Sequence, residues 1–307
     1  MSAKTELFDR LEYLSATVNQ PFLIDTGIAN NEHNGIASLL RKGLGIVAFN
    51  ILEDFIKHKT SESLQHLSSS SIEFNLLTDT LKEASTKGAL DALVFRAKMF
   101  KRKGADWQTL IQNEAQKIYS TQNPTFQLSD LSLVSSGSNI TSDEIKEVIK
   151  AFGISGGWTK LGDVATLINS GIPSLYETYK NAASRRNSAA HIATFQYSYA
   201  WLENIKNDIM SICAAFDILL TARCRQVTSN KFIEISQHDI NNALKFRFLE
   251  EVSTNQSIRE TTVVNGRARK IWHTLDLAVT NLQPMLSNKN EFLILLDSQK
   301  RIKDWFS

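Results

Sequence analysis

The chain contains little cysteine and carries little net charge. Its 307 residues include two cysteines, Cys213 and Cys224, and have a formal net charge of +2. If both cysteines lie on one helix, a rise of roughly 16 Å separates them, which is too far for a disulfide. We therefore expect buried free thiols and a reducing compartment. The small net charge gives no argument for nucleic-acid binding by the whole surface, so any basic footprint must be local.

Several other features are absent from the sequence. No apolar run approaches the roughly 20 residues of a membrane helix, and Met1–Arg10 is polar, without the apolar core of a signal peptide. There is no Walker A sequence and no Rossmann-type glycine pattern. Most histidines have no cysteine or carboxylate at ligand spacing. We expect a soluble cytoplasmic protein with no membrane partner, no metal and no cofactor.

Apolar residues recur at helical spacing through most of the first 226 residues. In the second of these segments, Gly43 and Gly45 either weaken the helix locally or permit a close helix crossing. Asn30–Gly35 and Ser120–Ser142 are typical of turns and loops. The predicted helical segments are Ala3–Val18, Ile36–Lys59, two or three pieces within Ile72–Tyr119, Thr141–Phe152, Ile172–His191 and Tyr197–Arg225.

The pattern changes after Val227. Lys231–Ser236 alternates polar and apolar residues, which predicts a strand, and Glu260–Trp272 with its Asn265-Gly266 turn predicts a hairpin. Phe292–Leu296 is an apolar run followed by a turn and a short return through Ile302 to Phe306. The sequence therefore predicts a mainly α fold, divided into an N-terminal helix and turn (1–35), a helical domain (36–226) and a small α+β C-terminal subdomain (227–307).

A short polar motif ends the predicted helix Ile172–His191 and precedes the next one. The segment Ser184–His191 contains the pattern Arg-Asn-x-x-x-His at Arg186, Asn187 and His191. This pattern resembles the signature of the HEPN superfamily, all-α proteins many of which cut RNA. Ser38–Lys57 resembles the opening helix of one bacterial branch, the RiboL-PSP-HEPN group, and Gly137–Ile154 resembles its middle helix.

The resemblance extends over roughly residues 36–222, and Asp297–Phe306 resembles the end of chains in that group. It implies a helical bundle that dimerises through the motif helices. It also implies a metal-independent endoribonuclease acting as a toxin or phage-defence effector, restrained by an antitoxin or another regulatory partner. Many such motifs have glycine where this chain has Ile192, a departure that bears on the geometry of the loop. The alternative is a non-catalytic HEPN module that dimerises or holds a partner.

The residue types of the motif suit RNA cleavage without metal. Histidine titrates near neutrality, so His191 is a candidate general base or acid. Arginine keeps its charge and presents a planar fork, so Arg186 is a candidate for stabilising the phosphorane, while Asn187 could orient the imidazole or bind phosphate. One protomer offers a single histidine and a single arginine in this motif, so the enzymatic hypothesis requires a homodimer. The plain alternative is a histidine at a helix end and a surface arginine, both structural.

Further residues are candidates for supporting roles. In this superfamily an acidic residue of the first helix can approach the motif, and Glu53 is a better candidate than Asp54, which is expected to point outward. Arg185 either touches the RNA backbone or is a solvated charge.

A basic cluster lies closer to the N-terminus than the motif does, near Trp107. It is either a solvated helix face or an RNA phosphate track, and a weaker hypothesis makes it a DNA contact. Its proposed RNA-binding members are Lys101, Arg102 and Lys103.

Overall fold

The computed structural model describes residues 1–27, 29–134, 139–252 and 257–307, and helices form most of this part of the chain. In chain order the helices are α1 (Ala3–Val18), α2 (Asn31–Ser69), α3 (Asp79–Glu83), α4 (Ala89–Arg102), α5 (Trp107–Ser120), α6 (Ser142–Ala151), α7 (Trp158–Leu167), α8 (Leu175–His191), α9 (Tyr199–Ser229) and α10 (Leu275–Lys289). A single π-helical turn, Ala84–Gly88, joins α3 to α4.

The 39-residue helix α2 is the centre of the bundle. It packs against α1, α8 and α9, and its side chains Phe49, Leu52, Phe55 and Ile56 are buried in the core. By length and composition α2 could also cross a membrane. Buried core helices pass that same test, and α2 packs against three other helices, with 39% of its most apolar stretch buried.

Helix α2 is longer than the sequence pattern predicts. It begins at Asn31, inside the expected turn, because the Asn30 side chain accepts a hydrogen bond from the His33 backbone N–H and caps it. It also continues past Lys59 to Ser69, since Leu64 and Leu67 are buried and the Ser68 hydroxyl bonds back to the Leu64 carbonyl. The turn prediction at Asn30–Gly35 is therefore wrong.

The prediction of one further helix, α6, is confirmed at both of its ends. Thr141 and Glu144 form a capping box at the start of α6. Gly153, with φ of +67°, follows its end in the conformation that favours glycine. Both cysteines lie buried on α9 as free thiols. The sequence pattern does not predict helices α7 and α10.

The C-terminal part contains a five-stranded mixed sheet, so an all-α description is only roughly right. The strands lie in the order β3 (Lys270–Trp272), β2 (Ile258–Thr261), β1 (Lys245–Glu251), β4 (Glu291–Leu296), β5 (Ile302–Phe306). Strand β1 runs parallel to β4, and the other pairs are antiparallel. The predicted hairpin is confirmed as β2 and β3, but its connection spans residues 262–269 rather than the Asn265-Gly266 turn alone. The terminal return is confirmed as β4 and β5.

The predicted strand at Lys231–Ser236 is wrong. Ile235–Gln237 forms a 3-10 turn, and within the described ranges no strand pairs with this segment. Ile235 is buried whereas Phe232 is 79% exposed, so the alternation does not mark one buried face of a sheet. Instead Ile235 packs closely against the turn at Gly153.

The sheet is buried on both faces. Leu249, Leu293 and Leu295 pack against α10, while Phe248 and Ile294 join the core of the helical bundle. Trp305 on β5 contacts Phe8 and Phe55 across the same core.

Candidate functional site

Helix α8 carries the motif on its last two turns. The Ser174 side chain accepts a hydrogen bond from the Glu177 N–H and caps the start of the helix. Buried Tyr179 then packs on Phe49 of α2, with ring centroids 5.6 Å apart. Helix α8 ends at His191. The contact between Tyr179 and Phe49 therefore fixes the position of the motif along the axis of α2.

The motif side chains differ in exposure. Asn187 and His191 are exposed and lie one turn apart on the same side of α8. Arg186 is half-buried, and its Nη1 lies 3.3 Å from Asn187 Oδ1, which accepts the hydrogen bond. Arg186 precedes His191 by five residues, roughly 140° around the helix, so one α8 does not present these two side chains side by side.

Glu53 is buried beneath the motif. Its carboxylate accepts a hydrogen bond from the Ile140 backbone N–H, and the Tyr179 hydroxyl donates to the Ile140 carbonyl at 2.6 Å. Burial raises the pKa of Glu53, while the Ile140 bond and the charges of Lys57 and Arg186 oppose that rise. Glu53 is therefore within electrostatic reach of Arg186, but its hydrogen bond goes to the chain before α6.

Asp54 is the other acid weighed from the sequence. It is 44% exposed and pairs with Arg10 at 2.5 Å. It points away from the core, as expected, and the structure places Glu53 closer to the motif.

Arg185 stacks on an aromatic cluster formed by Phe195, Tyr197 and Trp201. Its guanidinium lies 4.3 Å from the Trp201 ring centroid, so it is neither a free solvated charge nor fully available to RNA. Asp208 on α9 is its electrostatic neighbour: burial raises the pKa of Asp208 to about 6, and the positive charge of Arg185 limits that rise.

The loop after His191 is fixed by α2. Lys42 Nζ donates to the Ala193 carbonyl at 2.6 Å, and Gly45 lies so close to the Tyr197 ring that a Cβ there would overlap it. Ile192 has φ of −110° and ψ of 108°, a conformation open to any residue. The missing glycine at this position therefore does not distort the loop.

The RiboL-PSP-HEPN family matches residues 5–222. The chain belongs to this family. The match starts within α1, earlier than the resemblance indicated, and ends within α9, so most of the C-terminal part lies outside it. No curated protein and no solved structure matches the chain. Membership in a HEPN-superfamily family agrees with an RNase or nucleotide-binding role.

An open groove lies beside the HEPN motif, with a volume of about 890 Å³. It runs between the start of α2 and the loop that follows His191. Its lining includes amide side chains, the cation Lys42 and an aromatic ring, which are groups that proteins use to hold unpaired nucleotides. It also includes Arg41 and the carboxylate of Asp25, which pair with each other at 3.0 Å. Its other polar and aromatic side chains include Asn31, Ser38, Thr194, Phe195 and Gln196.

Lys42 and the aromatic cluster were missed from the sequence. The available signal was the close spacing of Phe195, Tyr197 and Trp201 directly after the motif. Nothing local marks Lys42, whose carbonyl partners lie some 150 residues away in the chain.

Lys101, Arg102 and Lys103 lie elsewhere, at the exposed end of α4. Lys101 Nζ is 5.4 Å from the Trp107 ring centroid, and α4 packs chiefly on α5. The main packing partners of α8 are α2, α6, α7 and α9. Helix packing therefore does not bring this cluster to Arg185 and the rest of the motif.

Metal binding has no positive support. Among the residues that the structure describes, no group of three or more His, Cys, Asp and Glu side chains is placed to hold an ion. The expectation of metal-free chemistry stays a prediction.

Proposed function

We propose that the chain is a metal-independent endoribonuclease of the HEPN type whose active site is completed by a homodimer. The observation that supports this most is the exposure of His191 and Asn187 at the end of α8, with the Arg186 guanidinium bonded to Asn187 and an open groove alongside. Three groups of the kinds that RNA cleavage needs are thus within one surface region.

The proposed reaction starts with the RNA 2′-hydroxyl. One His191 removes its proton, the oxygen attacks the adjacent phosphorus, and a second His191 protonates the departing 5′-oxygen. Arg186 stabilises the extra negative charge on the phosphorane, and Asn187 holds Arg186 in place. The products are a 2′,3′-cyclic phosphate and a 5′-hydroxyl. Because each chain supplies one His191, the acid and the base come from two protomers.

An exposed apolar stripe on α2 supports the dimer. Ile36, Leu39 and Val47 are 54%, 70% and 50% exposed, and Ile192, next to His191, is 50% exposed. Gly43 faces open space between them. Exposed apolar patches of this kind are typical of protein interfaces, and a second copy seated on this stripe would bring two His191 side chains together.

The proposed activity suggests a role for the protein in the cell. An RNase of this kind would act as a toxin or phage-defence effector, restrained by an antitoxin or another regulatory protein. The alternative is an adaptor that uses the same surface to dimerise or hold a partner without catalysis.

The deciding experiment is cleavage of total RNA by purified protein in excess EDTA. We expect Arg186→Ala and His191→Ala each to lower the cleavage rate by at least about a hundredfold, because each removes a group that acts on the transition state. Arg185→Ala is the matched control, and we expect a much smaller loss. Wild-type cleavage that leaves cyclic-phosphate ends supports the proposal.

Two outcomes contradict it. If the His191 and Arg186 variants cut as fast as the wild type, the motif is not catalytic. If the folded, dimeric wild type cuts no RNA, the adaptor function is favoured.

The dimer is tested with Leu39→Glu against Val94→Glu, an exposed apolar position on α4. Light scattering should give a monomer and reduced cleavage for Leu39→Glu alone. A Leu39→Glu monomer with unchanged specific activity would show that one chain suffices.

A further inference from the structure

A second polar cavity lies where four segments meet: the turn after α6, the start of α7, the end of α9 and the chain that follows α9. Its volume is about 270 Å³. It contains none of the motif residues. The side chains that matter here are Ser155, Lys160, Arg223, His238, Asp239 and Asn241.

Arg223 is a buried cation without a paired anion. It is 1% exposed, and it donates to the carbonyls of His238 and Gly153, each at 3.0 Å, and to Gln226 Oε1 at 3.1 Å. All three acceptors are neutral. Its Nε is buried without a hydrogen-bond partner, and in the described part of the chain it forms no ion pair. A buried charge in this setting is costly unless something compensates it.

The rest of the lining adds positive charge and free hydrogen-bonding capacity. His238 Nε2 is also buried without a partner in the described residues. Lys160 Nζ donates to Asn241 Oδ1 at 2.5 Å. Asp239 opposes the charge of Arg223, but its Oδ1 accepts two hydrogen bonds from Asn241 at 3.0 Å. Lys160 also pairs with Asp163 at 3.6 Å, but Asp163 is 57% exposed and lies outside the lining. Within the lining itself, the cations Arg223 and Lys160 face the carboxylate of Asp239.

We propose that this cavity binds a small phosphate-bearing anion. The unpartnered Nε–H of the Arg223 guanidinium, an ammonium group and the Ser155 hydroxyl are groups that proteins use for phosphate oxygens. The volume lies just below the range of roughly 300–1,000 Å³ for ligand pockets, which favours a phosphate group with a small carrier. A bound anion would also link the helical bundle to the segment that leads into the sheet.

The test is calorimetric titration of the full-length protein with inorganic phosphate and, separately, with adenosine 5′-monophosphate, at ionic strength held constant with chloride. Lys160→Glu places a negative charge in the cavity, and we expect it to weaken binding of either anion by at least about tenfold, equivalent to about 1.4 kcal/mol. Lys150→Glu is the matched control, because Lys150 lies on α6 with its side chain 61% exposed. It should bind as the wild type does.

Each result has a definite reading. Tighter binding of the nucleotide than of phosphate identifies the phosphate as the head of a nucleotide, whereas equal affinities identify free phosphate. No binding to the wild type at about 10 mM of either anion, or equal affinity in Lys160→Glu, overturns the proposal. If Lys160→Glu does not fold, Lys160→Gln replaces it. None of these measurements uses RNA cleavage, so the result is independent of the proposed catalytic function.

Discussion

At the scale of single residues, the motif is surrounded by charged side chains, and burial is the main cause of the pKa shifts of Glu53 and Asp208. Arg185 is stacked on Trp201 rather than extended into solvent. Asp208 lies near it, half-buried on α9. Glu53 is buried under Arg186 but is bonded to Ile140. The neighbours of the motif therefore position it electrostatically, while Asn187 and His191 are the side chains that solvent and substrate reach.

Asp208 gives a pH-dependent prediction. Its pKa is raised to about 6 from an ordinary 3.8, so the unfolded chain releases this proton at lower pH than the folded protein does. The stability that the protonated group contributes is complete below about pH 4 and is lost as pH rises to about 6. We expect Asp208→Asn to raise the free energy of unfolding by on the order of 1 kcal/mol at pH 7.5 and to change it little at pH 4.

Urea unfolding at both pH values measures this difference. Asp9→Asn, an exposed position on α1, is the control and should show no such pH dependence. An Asp208→Asn variant that is less stable than the wild type at pH 7.5 would contradict the raised pKa, because it would mean that pairing with Arg185 outweighs the burial of the carboxylate.

At the scale of elements, α2 and α8 form the site because α2 permits a close approach. Gly45 packs against the Tyr197 ring, whereas Gly43, half a turn earlier, faces open space. The sequence left open whether these glycines weaken α2 or allow a close crossing. The structure distinguishes them, since only Gly45 is at a contact.

The two glycines form a matched pair for mutation. Gly43→Ala should raise the free energy of unfolding by about 0.5–1 kcal/mol, because alanine favours the helix and meets no neighbour within its own chain. Gly45→Ala should lower it by about 1–3 kcal/mol, because its Cβ displaces Tyr197. Thermal unfolding of both variants measures this. Equal effects of the two substitutions would mean that Tyr197 does not pack on α2 as described.

At the scale of the whole molecule, a buried charge cluster joins the last strand to the bundle. Asp217 on α9 accepts hydrogen bonds from Lys59 of α2 at 2.6 Å and from the Trp305 indole of β5 at 2.7 Å. Burial alone would raise the pKa of Asp217, but the Lys59 charge and the hydrogen bonds hold it below its usual value. In the same way, Asp217 holds the pKa of Lys59 above its usual value despite burial.

This cluster predicts a large loss on removing one partner. Asp217→Ala should lower the free energy of unfolding by about 3–5 kcal/mol, because it leaves the Lys59 ammonium buried with only the more distant carboxylate of Glu62, at 3.8 Å, as a charged partner. Adding Lys59→Met should restore part of that loss, which urea unfolding of the four combinations measures. Strict additivity of the two substitutions would contradict direct coupling. The ion pair should contribute fully between about pH 4 and pH 10.5, since the lowered and raised pKa values lie outside that window.

The C-terminal sheet also bears on how the chain is divided. Trp305, Phe248 and Ile294 share the main core with α2 and α9. We therefore expect a chain truncated after Val227 to expose this core and to lose solubility, which expression and gel filtration would show. A soluble, monodisperse truncated bundle would contradict this expectation.

The sequence by itself determined the features that depend on neighbours a few residues away. The Thr141 cap and Gly153 delimit α6, and the motif lies on the last turns of the predicted helix that ends at His191. Capping, glycine conformation and helical spacing act over one or two turns, so they can be read locally. The family itself was likewise recognisable from contiguous segments.

Only the tertiary structure decided which distant groups meet. Glu53 bonds to Ile140 rather than to the motif, and Lys101–Lys103 lie at the end of α4, away from the main packing partners of α8. The α2 stripe is exposed although its apolar periodicity resembles that of a core face, and Arg223 becomes a buried cation only where four segments converge. Burial, pKa and cavity shape depend on contacts between residues far apart in the chain, and local sequence patterns do not contain that information.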